Sequence, residues 1–210
     1  MHTAVASEVF GVPLEKVDKD LRRKAKVINF GILYGMGVNS LRAALSEGGA
    51  PVLREEAAEF LRQYFARFSV LAAYLEETKE KARAQGFTET LFGRRRYFGA
   101  INSPLPSLRA AAERQATNAP IQGTATADII KLAMVRVDEF LRRERLEKDI
   151  SLILQVHDEL VYEVKESAVK ELAPRIKTIM ESVLTPDQSQ GVPIVVDASV
   201  GANWGEMKKI

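Results

Sequence analysis

The stretch ISLILQVHDELVYEV, residues 150–164, decides how the chain is to be read. Its two apolar runs, ISLILQV and ELVYEV, are separated only by His157 and Asp158. Two residues can join antiparallel strands, whereas parallel strands need a crossover of a dozen or more. The stretch therefore predicts a two-stranded hairpin with a tight polar turn. Asp158 and Glu159 follow an apolar strand, which would set their carboxylates at the end of a rigid support. Such oxygen ligands suit Mg²⁺, which binds one or two carboxylates together with phosphates. A polar turn without any ligand accounts for the same residues. Adjacent strand residues point to opposite faces, so Asp158 is expected to do more for a metal than Glu159.

Working outward, residues 166–184 read as an amphipathic helix and PIVVDASV (193–200) as a last strand. On the other side, residues 107–145 are long and helix-rich, with an interruption expected at Pro120. INSPLPS (101–107) is a proline loop, and FTETLFGRRRYFG (87–99) alternates around a Gly-centred turn as a second hairpin. Everything before it reads as helix: residues 2–10, a segment capped by Asp18 or Asp20 and running to about Gly35, LRAALSEGG (41–49) ended by paired glycines, 53–68 and 70–85. The fold class is thus α+β, with a helical subdomain over 1–86 and antiparallel strands with packing helices over 87–210.

Bulk properties set outer bounds. The chain has 210 residues, 46% hydrophobic and 28% charged, with a net charge of +2. That is a globular composition whose mild basicity neither demands nor excludes nucleic acid. There is no cysteine, which removes disulfides, thiol catalysis and cysteine-bound metal. Two histidines, His2 and His157, cannot build a histidine-rich zinc site. No apolar run approaches the ~20 residues of a membrane span, and the N-terminus has no signal-peptide pattern. A soluble, cytoplasmic protein is expected.

RRKAKVINFGILYG (22–35) carries two faces. Leu21, Ala25, Ile28 and Ile32 form an ordinary packing stripe. Arg22, Lys26, Phe30 and Tyr34 form a second row at strict four-residue steps. Each step drifts about 40°, so the row stays on one side of the helix. A solvated basic turn followed by core aromatics is the bland reading. Against it, Gly31 and Gly35 each cost about 1 kcal/mol relative to Ala in a helix, which suggests close approach of something to the backbone. Cations near a helix N-terminus are also disfavoured by the dipole unless they face an anion. An Arg, a Lys one turn on and an aromatic beyond suit a nucleotide, with cations on phosphates and a ring against sugar or base.

In ERQATNAPIQGTA (113–125), Arg114, Asn118 and Gln122 again recur every four residues. An exposed polar face explains them, but Asn and Gln also read base edges and Arg positions phosphate. GRRRYF (93–98) adds a basic turn beside aromatics, a nucleic-acid cue. RRERLEK (142–148) mixes both signs and reads as a solvated face.

Together these stretches closely resemble the C-terminal part of family A DNA polymerases. RRKAKVINFGILYG is similar to that family's motif B, R-x-x-x-K-x-x-x-F-G-x-x-Y-G, on the fingers helix. QVHDE (155–159) is similar to motif C of the palm. ERQATNAPIQGTA resembles the stretch between them that lies along primer and template. HTAVASEVFGV (2–12) resembles the segment leading into the fingers, and VGANWGEMK (200–208) the family's C-terminal end. The resemblance implies a helical fingers subdomain and part of an antiparallel-sheet palm. It implies that Arg22 and Lys26 hold the phosphates of an incoming deoxynucleoside triphosphate, with Lys26 placed to protonate the leaving pyrophosphate. Phe30 would pack on the sugar, Tyr34 would sit at the templating position, and His2 would contact phosphate. Asp158 would be one of two catalytic aspartates, with Glu159 a supporting carboxylate and Mg²⁺ the cofactor. Arg114, Asn118, Gln122, Gln155 and His157 would contact primer-template DNA.

The family's motif A, which carries the other metal-binding aspartate, has no counterpart here, nor has the thumb. One aspartate and a neighbouring glutamate are too few to hold two Mg²⁺ ions. The palm sheet is expected to lack a strand, leaving an edge prone to self-association. Beside a polymerase portion used in replication or repair, two readings stay open. One is a non-catalytic module that grips nucleotide or primer-template. The other is half of a split polymerase, completed by an upstream polypeptide that supplies motif A and the thumb. A plain structural α+β domain leaves the cationic-aromatic row unexplained.

Overall fold

The computed structural model describes residues 2–33, 35–47 and 51–210, with only the backbone at Leu33. By its internal contacts the chain divides into two compact units, residues 1–121 and 122–210.

The first unit is helical up to Gln85. Helix α1 (His2–Phe10) precedes α2 (Lys19–Leu33), α3 (Val38–Ser46), α4 (Arg54–Arg67) and α5 (Ser69–Gln85). Asp18 starts α2 as the sequence suggests, its Oδ1 accepting the Leu21 N–H at 2.8 Å. The predicted stripe is the buried one: Ala25 and Ile28 are fully buried and Ile32 nearly so. They pack into one cluster with Val5, Ala6 and Val9 of α1, Leu41 and Leu45 of α3, and Ala57 and Tyr64 of α4. Each full burial of an Ile or Leu side chain stabilises by roughly 1.5–3 kcal/mol. Polar ties lock the same elements. Tyr64 Oη donates to Asn29 Oδ1 at 2.7 Å, and Arg23 Nη1 donates to the Glu47 carbonyl at 2.9 Å. The paired glycines expected to end the short helix, Gly48 and Gly49, lie outside the described residues.

The end of α2 explains both of its glycines. The Gly35 N–H donates to Ile32 O at 2.9 Å and the Met36 N–H to Gly31 O at 2.7 Å. These two bonds define a Schellman cap, with Gly35 left-handed at φ 69°. Such caps bring the residue after the glycine against the last helical turn. Here Met36 Sδ lies 2.9 Å from where a Cβ on Gly31 would stand. The sequence reading expected a close approach at these glycines, and side chains of this chain make it.

The texture changes at residue 87 as expected. Strands β1 (Phe87–Glu89) and β2 (Arg95–Tyr97) form an antiparallel hairpin, followed by α6 (Pro106–Gln122). Ala82, Phe98, Ile101, Ala112, Ala116 and Ala119 make a second small core. The expected interruption at Pro120 is displaced: Pro120 lies within α6, and the irregularity is a π-helical segment, Gly123–Asp128. Proline deletes one helical hydrogen bond and crowds the carbonyl four residues back.

The second unit holds α7 (Ile129–Arg143), strands β3 (Ile150–Val156) and β4 (Glu159–Val164), α8 (Val169–Glu181) and a short α9 (Pro186–Ser189). Val137, Phe140 and Leu141 of α7 pack with Ile150, Leu172 and Ile176 as a third core. Arg175 of α8 lies 4.5 Å over the Phe140 ring. The predicted hairpin is present, antiparallel, with a bulge between Leu152 and Leu154. PIVVDASV is mostly without regular structure: only β5 (Ser199–Val200) is strand, paired with β6 (Lys208–Lys209). A run of β-branched residues forms a strand only where a partner backbone is in register, and here that partner is two residues long.

Candidate polymerase site

The site residues fall into three groups. The first is the outer face of α2. Arg22, Lys26 and Phe30 are exposed, Phe30 by 43%. Their immediate neighbours behave differently. Arg23 and Lys24 both pair with Asp20 at 2.9 Å, whereas Arg22 and Lys26 make no ion pair among the described residues. Of these four cations, two are thus paired within the helix and two are left facing outward. Helix α1 adds His2, whose ring centroid lies 5.6 Å from that of Phe30, tilted by 48°. The His2 pKa is lowered, first by burial and then by the nearby positive charges of Arg22 and Lys26. Its Nδ1 is buried without a hydrogen-bond partner among the described residues. The structure thus sets His2 of α1 beside the α2 face that carries Arg22, Lys26 and Phe30. Tyr34 lies outside the described residues.

The second group is on α6. Arg114 is exposed, and Asn118 and Gln122 are half-buried along the same helical row. Asn118 Oδ1 is a buried acceptor with no partner among the described residues. An unpaired polar atom of that kind is costly unless a ligand or water completes it.

The third group is the β3–β4 turn. His157 holds φ 53°, a left-handed conformation that non-glycine residues seldom adopt. Gln155 Nε2 donates to the His157 carbonyl at 2.5 Å, folding its amide back over the turn. Asp158 and Glu159 are exposed and unpaired among the described residues. Asp158 lies in the turn and not in a strand, so strand alternation does not separate it from Glu159, which opens β4 opposite Val156. The donor chemistry fits a hard cation. The number of donors does not: among the described residues, no group of three His, Cys, Asp or Glu side chains could hold a metal.

Residues 1–206 match the family described as DNA polymerase family A. The chain belongs to that family. DNA polymerase I of Pseudomonas aeruginosa is 50% identical over 206 residues, 98% of this chain and 21% of its own length. Thermostable DNA polymerase I of Thermus aquaticus is 44% identical over 209 residues, 100% of this chain and 23% of its own. The chain therefore spans about a fifth of the length of these family A relatives. A solved structure described as the POL domain of Pol1 from M. smegmatis, in complex with DNA primer-template and dNTP, superposes with a TM-score of 0.79 at 40% identity. It covers 88% of this chain and 31% of that one. The α+β architecture of this family A chain agrees with that likeness.

Asn29, Tyr64 and Met36, to which the spacing assigns no role, hold α2 in place without facing outward. Gly31 was the one visible signal, since a glycine within a helix asks what occupies the missing side chain's volume.

Proposed function

We propose that this chain is the fingers and distal-palm portion of a DNA-directed DNA polymerase of the replication or repair type, with fingers over 1–86 and palm over 87–210. The observation that carries this reading is the outward row Arg22, Lys26 and Phe30 with His2 beside it. Arg22 and Lys26 offer positive charge one turn apart that suits a triphosphate, His2 of α1 adds a polar ring, and Phe30 offers a ring for the sugar. Arg22 and Lys26 bind the phosphates of a deoxynucleoside triphosphate. Lys26 gives a proton to the leaving pyrophosphate, and Phe30 fixes the sugar. Tyr34 sits at the templating position. Arg114, Asn118, Gln122, Gln155 and His157 contact primer-template DNA.

Asp158 and Glu159 supply this chain's share of the Mg²⁺ ligands for addition of the nucleotide to a primer 3′-hydroxyl by two-metal phosphoryl transfer. When bound, the metal stabilises the attacking and leaving oxygens. The shortfall in donors favours a division of labour in which an upstream polypeptide brings motif A and the thumb. The same shortfall supports a second reading, a fragment that grips nucleotide and primer-template without catalysis. No helix of the described residues is long and apolar enough to cross a membrane, and a soluble, cytoplasmic setting goes with the proposed role.

Primer extension tests this. The purified chain is assayed with Mg²⁺ and four deoxynucleotides, alone and with a separately expressed upstream segment carrying motif A. Extension only with the added segment, and its loss in Asp158→Ala, is the expected result. Extension by the chain alone would overturn the division of labour. Extension by the reconstituted pair that survives Asp158→Ala would leave only the binding reading.

A further inference from the structure

Helix α2 ends on a glycine whose missing side chain is replaced by part of another helix. A Cβ on Gly35 would stand 2.5 Å from Arg114 Cγ, 3.0 Å from its Cβ and 3.2 Å from its Cδ. Three successive carbons of the arginine stem thus lie across the Schellman cap, in the volume any side chain at 35 would need. The Arg114 guanidinium makes no hydrogen bond or ion pair with the described residues, so the stem's seat on the cap is the restraint visible on it. A distance of 2.5 Å between carbons is well inside contact, and the left-handed φ adds a second reason for glycine. The sequence separation of these residues hides the pairing from any local pattern.

We propose that Gly35 is a positioning residue for Arg114. The end of the helix that carries Arg22, Lys26 and Phe30 determines where the Arg114 guanidinium reaches, so α2 cannot shift its cap without moving that charge. The nucleotide-facing helix and the primer-template contact on α6 are mechanically joined at this point. The proposal rests on reading Arg114 as a contact to nucleic acid phosphate.

The test is a double-mutant cycle in the 210-residue chain. Gly35→Asn adds a Cβ but tolerates the left-handed backbone better than Gly35→Ala. Each is made alone and together with Arg114→Ala. Melting temperature and the salt dependence of binding to a labelled primer-template duplex are measured. Gly35→Asn should lower the melting temperature by about 5 °C or more, and Arg114→Ala in the same chain should restore most of it. Arg114→Ala should reduce the slope of log affinity against log salt by about 0.9, the value for one phosphate contact. Gly35→Asn should reduce it as much, and the double variant no further.

Additive melting losses, or a full slope in Gly35→Asn when Arg114→Ala has lost its share, would overturn the proposal. If Gly35→Asn fails to fold, a folded double variant supports the interlock and an unfolded one overturns it. An unchanged slope in Arg114→Ala, or no duplex binding by the parent chain, also overturns it. Rescue of melting in that case locates the failure in the DNA reading and not in the packing.

Discussion

Helix α2 and the β3–β4 hairpin, one in each compact unit, are supported in opposite ways. The apolar stripe of α2 is covered on all sides by α1, α3 and α4, with Ile28 at 0% exposure. What it leaves outside is charge and one aromatic ring. The hairpin buries Ile150 and half-buries Tyr162 and Val164 against α7 and α8. Yet Leu152, Ile153 and Leu154 stand 38%, 53% and 45% exposed on the strand leading to Asp158. A helix can complete its core with neighbours a few residues away. An antiparallel pair can leave one face to water, and β3 has one strand partner among the described residues. The cationic face of α2 is thus backed by a buried core, whereas the strand leading to Asp158 shows apolar surface.

The sharpest way to break that contrast is to truncate a side chain in each region. Ile28→Ala should cost on the order of 2–5 kcal/mol in urea unfolding, because a fully buried side chain leaves a cavity. Ile153→Ala should stay within about 0.5 kcal/mol, as for a surface change. Equal costs would mean that the hairpin's apolar row is covered after all.

The next largest effect concerns pH. Burial, and then the Asp138 carboxylate, push the Tyr162 phenol up to about 12. Its neutral form is the one the folded hairpin favours. Stability is therefore full below pH 10 and falls as pH rises from 10 towards 12. Tyr162→Phe should flatten that alkaline loss in chemical denaturation followed between pH 9 and 12. An unchanged profile would remove Tyr162 from the covered side of the hairpin.

A smaller effect is expected at Tyr64, also burial-raised in pKa. Tyr64→Phe removes the donor to Asn29 and leaves a part-buried acceptor unpaired, at a cost of about 1–3 kcal/mol. Loss below that range would show that water replaces the hydroxyl. At the lower limit, Glu8→Gln breaks the Arg67–Glu8 ion pair between α1 and α4, which is solvent-exposed at both ends. The urea midpoint should not move, since exposed pairs contribute little. A clear drop would make surface charge part of what holds α2's neighbours together.

Much of this was legible in the residues. The two faces of α2, its Asp18 cap, both hairpins and the turn at His157 and Asp158 all follow from periodicity and turn chemistry, which act within a few residues. The strand expected over PIVVDASV shows the limit of the same reasoning. Composition states a propensity for extended backbone, and only a partner strand converts it into a sheet. The helix expected to break at Pro120 shows another limit: α6 runs through the proline, and the irregular segment is Gly123–Asp128.

Sequence alone determined which side chains α2 turns outward and which acids the hairpin holds at its end, because spacing along a helix or across a two-residue turn is a local property. Tertiary structure decided that His2 lies against Phe30, that Asn29 is held by Tyr64, and that the Arg114 stem fills the space Gly35 leaves empty. Those pairings depend on how separate helices pack, and close packing is a property of the folded chain as a whole.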